Sequence, residues 1–200
     1  MNPLKQKFLI IKLSSIGDIV HALPFLRTLR ANYPHAHIAW VIEESFQDLI
    51  KCNPDLNEVI PVRTKYWRKN LNIKSWNEIY QTKKLLKGRC FDWTFDLQGL
   101  IKTGFIARMT GAPNRAGFHR SNCREKINTW FNNHHSKYLS ADSHIVDRCL
   151  SQLSVLGEFQ PQTEFLLPIR VEDERTSEVF IRENSKLTEK PIAGINPGAG

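Results

Sequence analysis

The chain has no Gly-x-Gly-x-x-Gly element and no Walker sequence, which argues against a nucleotide-cofactor oxidoreductase. Cysteine is sparse: Cys52, Cys90, Cys123 and Cys149 lie far apart, with no close pair. That spacing excludes a zinc ribbon or finger and fits reduced thiols in a cytosolic protein. Of the seven histidines, His134 and His135 are adjacent, so neither helix nor strand geometry aims them at one ion. No apolar run approaches the roughly 20 residues needed to span a bilayer. The run Phe8-Leu9-Ile10-Ile11 ends at Lys12, short of the about 7–15 residues of a signal-peptide core. A cytoplasmic location is expected.

Acidic residues are nearly missing from two stretches. Between Val62 and Arg89, nine Lys and Arg face Glu78 alone, and from Ile101 to Lys137 seven face Glu125 alone. The overall charge is +8, yet past Asp142 acidic residues outnumber basic ones. Such asymmetry points to an anionic partner for the first two-thirds: nucleic acid, anionic lipid headgroups or a phosphorylated substrate. A solvated basic face is the plainer alternative. No recognised nucleic-acid motif occurs, and the basic residues spread over several elements. A basic nucleic-acid-binding α/β module is therefore the competing reading.

Two hundred residues suit one large domain, or one domain and the beginning of another. Strand and helix signals alternate. Strands are expected at 8–13, 37–42, 58–62, 91–97 and 115–118. Helices are expected at 19–32, 45–50, 75–86, 100–109 and 144–156, the last stopped by Gly157. This alternation predicts an α/β fold with a mostly parallel, helix-flanked sheet. Residues 158–168, with Pro161 and Pro168, read as a linker. A charged helix at 172–187 and a strand at 191–196 follow, before Pro197-Gly198-Ala199-Gly200.

The most informative segment is Ser14-Ser15-Ile16-Gly17-Asp18-Ile19-Val20-His21, where a buried strand turns at once into helical spacing. Open α/β sheets bind ligands in such turns at the carboxyl ends of their strands. Asp18 is placed either to cap the helix or to act as a base facing a cleft. Ser14, Ser15 and Gly17 shape the turn. Lys65, Arg68 and Lys69 lie in an aperiodic stretch that reads as a loop, either solvated or closing over anions. At Asp96-Leu97-Gln98-Gly99 a strand end and a Gly allow close approach of a ligand, or Asp96 caps the next helix. Lys102, one turn into that helix, faces anions in the first case. Arg124-Glu125 by itself reads as a surface ion pair. His144 and Arg148 sit one helical turn apart without an assigned role.

These residues resemble the bacterial ADP-heptose:lipopolysaccharide heptosyltransferases, glycosyltransferase family 9. The likeness runs from Ser14-Ser15-Ile16-Gly17-Asp18 through Trp40-Val41-Ile42-Glu43-Glu44, Val59-Ile60-Pro61-Val62, Tyr66-Trp67-Arg68-Lys69 and Asp96-Leu97-Gln98-Gly99-Leu100-Ile101-Lys102 to Arg124-Glu125. It covers residues 7–157 and is most like the heptosyltransferase I type, with types II and III as alternatives. The resemblance implies a Rossmann-like parallel sheet, the N-terminal half of a GT-B glycosyltransferase. It implies an acceptor-binding domain at 1–157, a linker at 158–171 and the start of a donor-binding domain at 172–200. The implied reaction is inverting, without metal or cofactor, from ADP-heptose to the Kdo inner core of lipopolysaccharide. Asp18 matches the family's base. Ser14, Ser15, Gly17, Lys65, Arg68, Lys69, Gln98, Gly99, Lys102 and Arg124 are the implied substrate contacts. A diphosphate leaves without acid assistance, so one carboxylate suffices, unlike the pair needed for hydrolysis. The implied partners are ADP-heptose, Kdo-lipid A and, peripherally, the cytoplasmic face of the inner membrane, with no nucleic acid. Because the chain stops at the first turn of the donor domain, the 200-residue polypeptide is expected to bind ADP-heptose poorly and to transfer no sugar alone.

Overall fold

A computed structural model describes residues 6–169 and 171–184. The expected strand at 191–196 lies outside the described residues, as does the end of the expected helix at 172–187. The chain divides into two compact units, Met1–Pro168 and Ile169–Gly200.

In the first unit, β1 (Lys7–Ile11) is buried from Phe8 to Ile11, as befits a central strand covered on both faces. It is followed by α1 (Ile16–Val20) and α2 (Leu23–Asn32), then β2 (His37–Glu43) and a 3-10 turn over Glu44–Leu49. Next come β3 (Glu58–Val62), α3 (Thr64–Lys69), α4 (Ile73–Gly88), β4 (Trp93–Asp96), α5 (Ile101–Met109) and β5 (Asn114–Gly117). A 3-10 turn over Lys126–Trp130, β6 (His134–His135), α6 (Ile145–Ser151) and a 3-10 turn over Gln152–Leu156 complete it. The six strands are parallel, in the order β3-β2-β1-β4-β5-β6. That is the Rossmann order, and its switch point falls between β1 and β4.

Alternate residues of each strand feed two cores. Phe8, Ile10, Trp40 and Phe95 pack against α2 and α6 through Leu26, Leu29, Cys149 and Leu150. Leu9, Ile11, Val41 and Ile60 face Trp67, Leu86, Ile106 and Ala107 of α3, α4 and α5. The second layer is thin, because α4 fully buries only Ser75 and Leu86.

The helix expected at 45–50 is the 3-10 turn over Glu44–Leu49, and β6 was not expected; three further elements differ from expectation. The single helix expected at 19–32 is two: α1 ends at Val20, and α2 begins at Leu23 with Pro24 in its first turn. Proline cannot donate an i→i−4 hydrogen bond, so a fresh helix start accommodates it better than an interior position. The stretch containing Lys65, Arg68 and Lys69 is helix α3, not a loop. Its first turn is held by Glu43, which accepts from Thr64 Oγ1 at 2.5 Å and Lys65 N at 3.1 Å. Its middle is held by Trp67 Nε1 donating to Glu78 at 2.9 Å. The expected helix at 144–156 is α-helical only to Ser151 and then tightens to 3-10.

Residues 158–168 lie along α2. Gln162 N donates to Thr28 Oγ1 at 2.8 Å, Asn53 Nδ2 to Leu166 O at 2.7 Å, and Arg27 pairs with Glu164 at 3.2 Å. In the second unit, α7 (Val171–Glu183) carries Glu172, Asp173 and Glu174 in its first turn and Arg182 in its last. Both suit the helix dipole.

Candidate active site

Polar groups gather where β1, β2, β3 and β4 end. At the switch point, Gln98 Oε1 accepts from Leu13 N at 3.1 Å and Ser14 N at 3.4 Å. The loop after β4 thereby fixes the turn after β1. Gln98 is itself buried, so its carbonyl is committed to backbone. Ser15 is the residue before α1, and Asp18 is the third helical residue. Asp18 Oδ2 accepts from Ser15 N at 3.2 Å. The cap is thus formed backward, from the third helical residue to the backbone N–H of the cap residue Ser15, rather than by Asp18 standing at the cap position. Asp18 is half-buried, and Ser15 and Gly17 are exposed. A methyl added to Gly17 would meet nothing within 4 Å, so the space over this turn is open.

Two further groups border the turn. Burial pushes the Cys149 thiol up to about 11, and the negative charge of Asp18 adds to that shift while Lys12 opposes it. The His21 and His144 rings meet edge to face at 5.5 Å. His144 caps α6, its Nδ1 accepting from Val146 N at 3.3 Å. Arg148 donates to the Ala141 carbonyl.

Asp96, at the end of the neighbouring strand, has an opposite character. It is fully buried. Its Oδ1 accepts from Gln98 N and Gly99 N, each at 3.0 Å, and its Oδ2 from Thr103 Oγ1 at 2.9 Å and Asn128 Nδ2 at 2.5 Å. Burial raises its pKa above the ordinary carboxylate value, against the pull of these donors. Gly99 has φ +70, and a Cβ there would sit 3.1 Å from Phe118 and 3.2 Å from Cys123 Sγ. Glycine is required there by the fold itself.

A second cluster lies beside the ends of β2 and β3. Lys65, Arg68 and Lys102 line a cavity of about 230 Å3, floored by Trp67, Ile106 and Met109. Lys102 is half-buried, and its pKa is lowered, first by burial and then by Arg68 and Lys65, while Glu43 and Glu125 oppose the shift. None of Lys65, Arg68 and Lys102 forms an ion pair among the described residues. Three cations around a cavity with one buried carboxylate behind them make a place for an anion. Glu43, which organises α3 beneath them, was not among the candidate residues. Its signal was a carboxylate closing an otherwise apolar strand.

The structure therefore brings together Ser14, Ser15, Gly17, Asp18 and Gln98 in one group and Lys65, Arg68 and Lys102 in another. Asp18 does not line the cavity. Lys69 and Arg124 are exposed, and neither pairs with a carboxylate among the described residues. Glu125 is occupied elsewhere, accepting from Ile101 N at 2.6 Å at the start of α5. Among the described residues, no three His, Cys, Asp or Glu side chains converge as a metal site, and no helix is long and apolar enough to cross a membrane.

Known proteins share this architecture. The chain is 36% identical over 127 residues to lipopolysaccharide heptosyltransferase 1 of Pseudomonas aeruginosa, covering 63% of this chain and 36% of that protein. It is 29% identical over 163 residues to lipopolysaccharide heptosyltransferase 1 of Escherichia coli K12, covering 80% of this chain and 50% of that one. Among solved structures, E. coli heptosyltransferase WaaC with ADP-2-deoxy-2-fluoro heptose matches at 28% identity and a TM-score of 0.73, over 80% of this chain and 51% of its own. The chain spans about half the length, or less, of the relatives it matches. Its helix-flanked parallel sheet corresponds to a single Rossmann-like half of a GT-B fold. The profile of glycosyltransferase family 9 (heptosyltransferase) matches residues 79–200, and the chain belongs to that family.

Proposed function

We propose that this chain supplies the acceptor-binding half of an inverting heptosyltransferase, with residues 1–157 holding the acceptor, 158–171 linking, and 172–200 opening the donor-binding part. The donor is ADP-heptose and the acceptor the Kdo inner core of lipopolysaccharide, presented as Kdo-lipid A and met peripherally at the cytoplasmic face of the inner membrane. One observation carries the reading: a half-buried carboxylate, Asp18, under open space at the sheet's switch point, stands on the same carboxyl edge as Lys65, Arg68 and Lys102, cations without an ion pair among the described residues. The acceptor hydroxyl attacks the anomeric carbon of heptose, the bond from that carbon to the diphosphate oxygen breaks, and Asp18 takes the hydroxyl proton. ADP departs as a stable anion, so no second acid is needed. Lys65, Arg68 and Lys102 hold phosphate or Kdo carboxylate, while Ser14, Ser15, Gly17, Lys69, Gln98, Gly99 and Arg124 shape or line the approach. Similarity to proteins named lipopolysaccharide heptosyltransferase 1 supports the type I assignment.

Release of ADP from ADP-heptose tests the reading, in a polypeptide that carries the donor half. A Kdo-terminated acceptor should support release and a heptose-terminated one should not. The reverse preference would reassign the chain to the type II reaction. No release with either acceptor would remove the transferase reading.

A further inference from the structure

Helix α4 buries Leu86 but presents several of its other apolar residues outward. Trp76 and Tyr80, one turn apart, are 63% and 62% exposed, and Ile73 at the helix start is 88% exposed. The same stripe continues into Lys83 and Lys87 at helical spacing. Facing it across a groove of about 590 Å3 are Phe105 and Arg108 of α5. Among the described residues no carboxylate lines that groove. Lys83, Lys87 and Arg108 form no ion pair among the described residues. Isolated exposed apolar residues are ordinary, but a contiguous aromatic stripe edged by cations marks an interaction surface.

We propose that the α4–α5 face docks on an anionic lipid bilayer. Indole and phenol rings settle at headgroup depth, where one part of the ring is dry and the other wet. Lysine and arginine stems lie along the apolar surface while their charges meet lipid phosphates. The aliphatic Ile73 distinguishes a bilayer from nucleic acid, which stacks on aromatic rings but gives an exposed isoleucine nothing to bury in. The proposal deepens the peripheral-membrane part of the reading above by naming the face, yet its test uses no sugar and no catalysis.

The test is co-sedimentation of the chain with vesicles of phosphatidylethanolamine and phosphatidylglycerol, compared with phosphatidylcholine alone. Binding should favour the anionic vesicles and weaken with salt. Each basic residue near an anionic leaflet contributes roughly fivefold, so the double variant Lys83→Glu, Lys87→Glu should lower partitioning by about 25-fold or more. Trp76→Ser with Tyr80→Ser should lower it about tenfold or more, with unchanged circular dichroism. If that variant does not fold, quenching of Trp76 by bromolipid takes its place, read as the signal lost in Trp76→Phe. Asp18→Asn should leave vesicle binding intact, which separates this surface from the transfer site. Equal binding to neutral vesicles, unchanged partitioning of the folded charge-reversed variant, or no Trp76 quenching would overturn the proposal. So would tighter binding to a single-stranded oligonucleotide abolished by the same substitutions.

Discussion

Two aspartates at the ends of adjacent strands should respond to alanine in opposite ways. Among the described residues the Asp18 carboxylate accepts one hydrogen bond, 3.2 Å from the N–H of exposed Ser15. Its loss should cost about 0.5–1 kcal/mol, or about 1–4 °C in melting temperature for a unit of this size. As a general base it should be worth roughly 10²–10⁴ in turnover, about 2.7–5.5 kcal/mol in the barrier. Asp96 accepts four hydrogen bonds in a fully buried position. Thr103 Oγ1 and Asn128 Nδ2 keep the Leu100 carbonyl as a partner after Asp96→Ala, at 2.8 and 2.7 Å. The N–H groups of Gln98 and Gly99 lose the acceptor they have among the described residues, so the cost should be about 3–5 kcal/mol, or about 6–20 °C. Thermal melts and ADP release on the same preparations, with the donor half present, check both. A folded Asp18→Ala protein with near-normal turnover would falsify its role as base, and an unshifted melt for Asp96→Ala would refute the buried-network account.

Lys102→Met should raise the melting temperature slightly while weakening acceptor binding. The lowered pKa means that the folded chain disfavours the charged form, a penalty present at neutral pH and relieved only above that pKa. By the same sign, acceptor affinity measured by calorimetry should fall as pH rises through a value below the ordinary 10.5, and Lys102→Arg should move that limb upward. Gln98→Ala should cost about 1–3 kcal/mol in denaturant melts, because the Leu13 and Ser14 N–H groups lose their acceptor. Gly104→Ala should cost about 1–3 kcal/mol by overpacking, since a Cβ there would lie 2.8 Å from both Asn128 Nδ2 and Phe131 Cδ2; an unchanged melt would show that this wall yields.

Local pattern was enough to read β1 to β5, their alternation with helices, and the strand-turn-helix at Ser14-Ser15-Ile16-Gly17-Asp18, because runs such as Phe8-Leu9-Ile10-Ile11 carry a buried-strand signal of their own, whereas the two-residue β6 carries none. It was not enough where two signals competed over a few residues. Helical spacing ran unbroken from Ile19 to Asn32, yet the restart at Leu23 lets Pro24 sit in a first turn. The aperiodic stretch around Trp67 folds as α3 because Glu43 and Glu78, distant in sequence, supply its acceptors. Strand order, the bond from Gln98 to a turn 84 and 85 residues earlier, and the gathering of Lys102 beside Lys65 and Arg68 were decided by tertiary structure alone. The physical reason is range. Propensity and periodicity act over one or two turns of chain, whereas a site at the carboxyl edge of a parallel sheet is assembled from loops that meet only once the crossovers have brought their strands side by side.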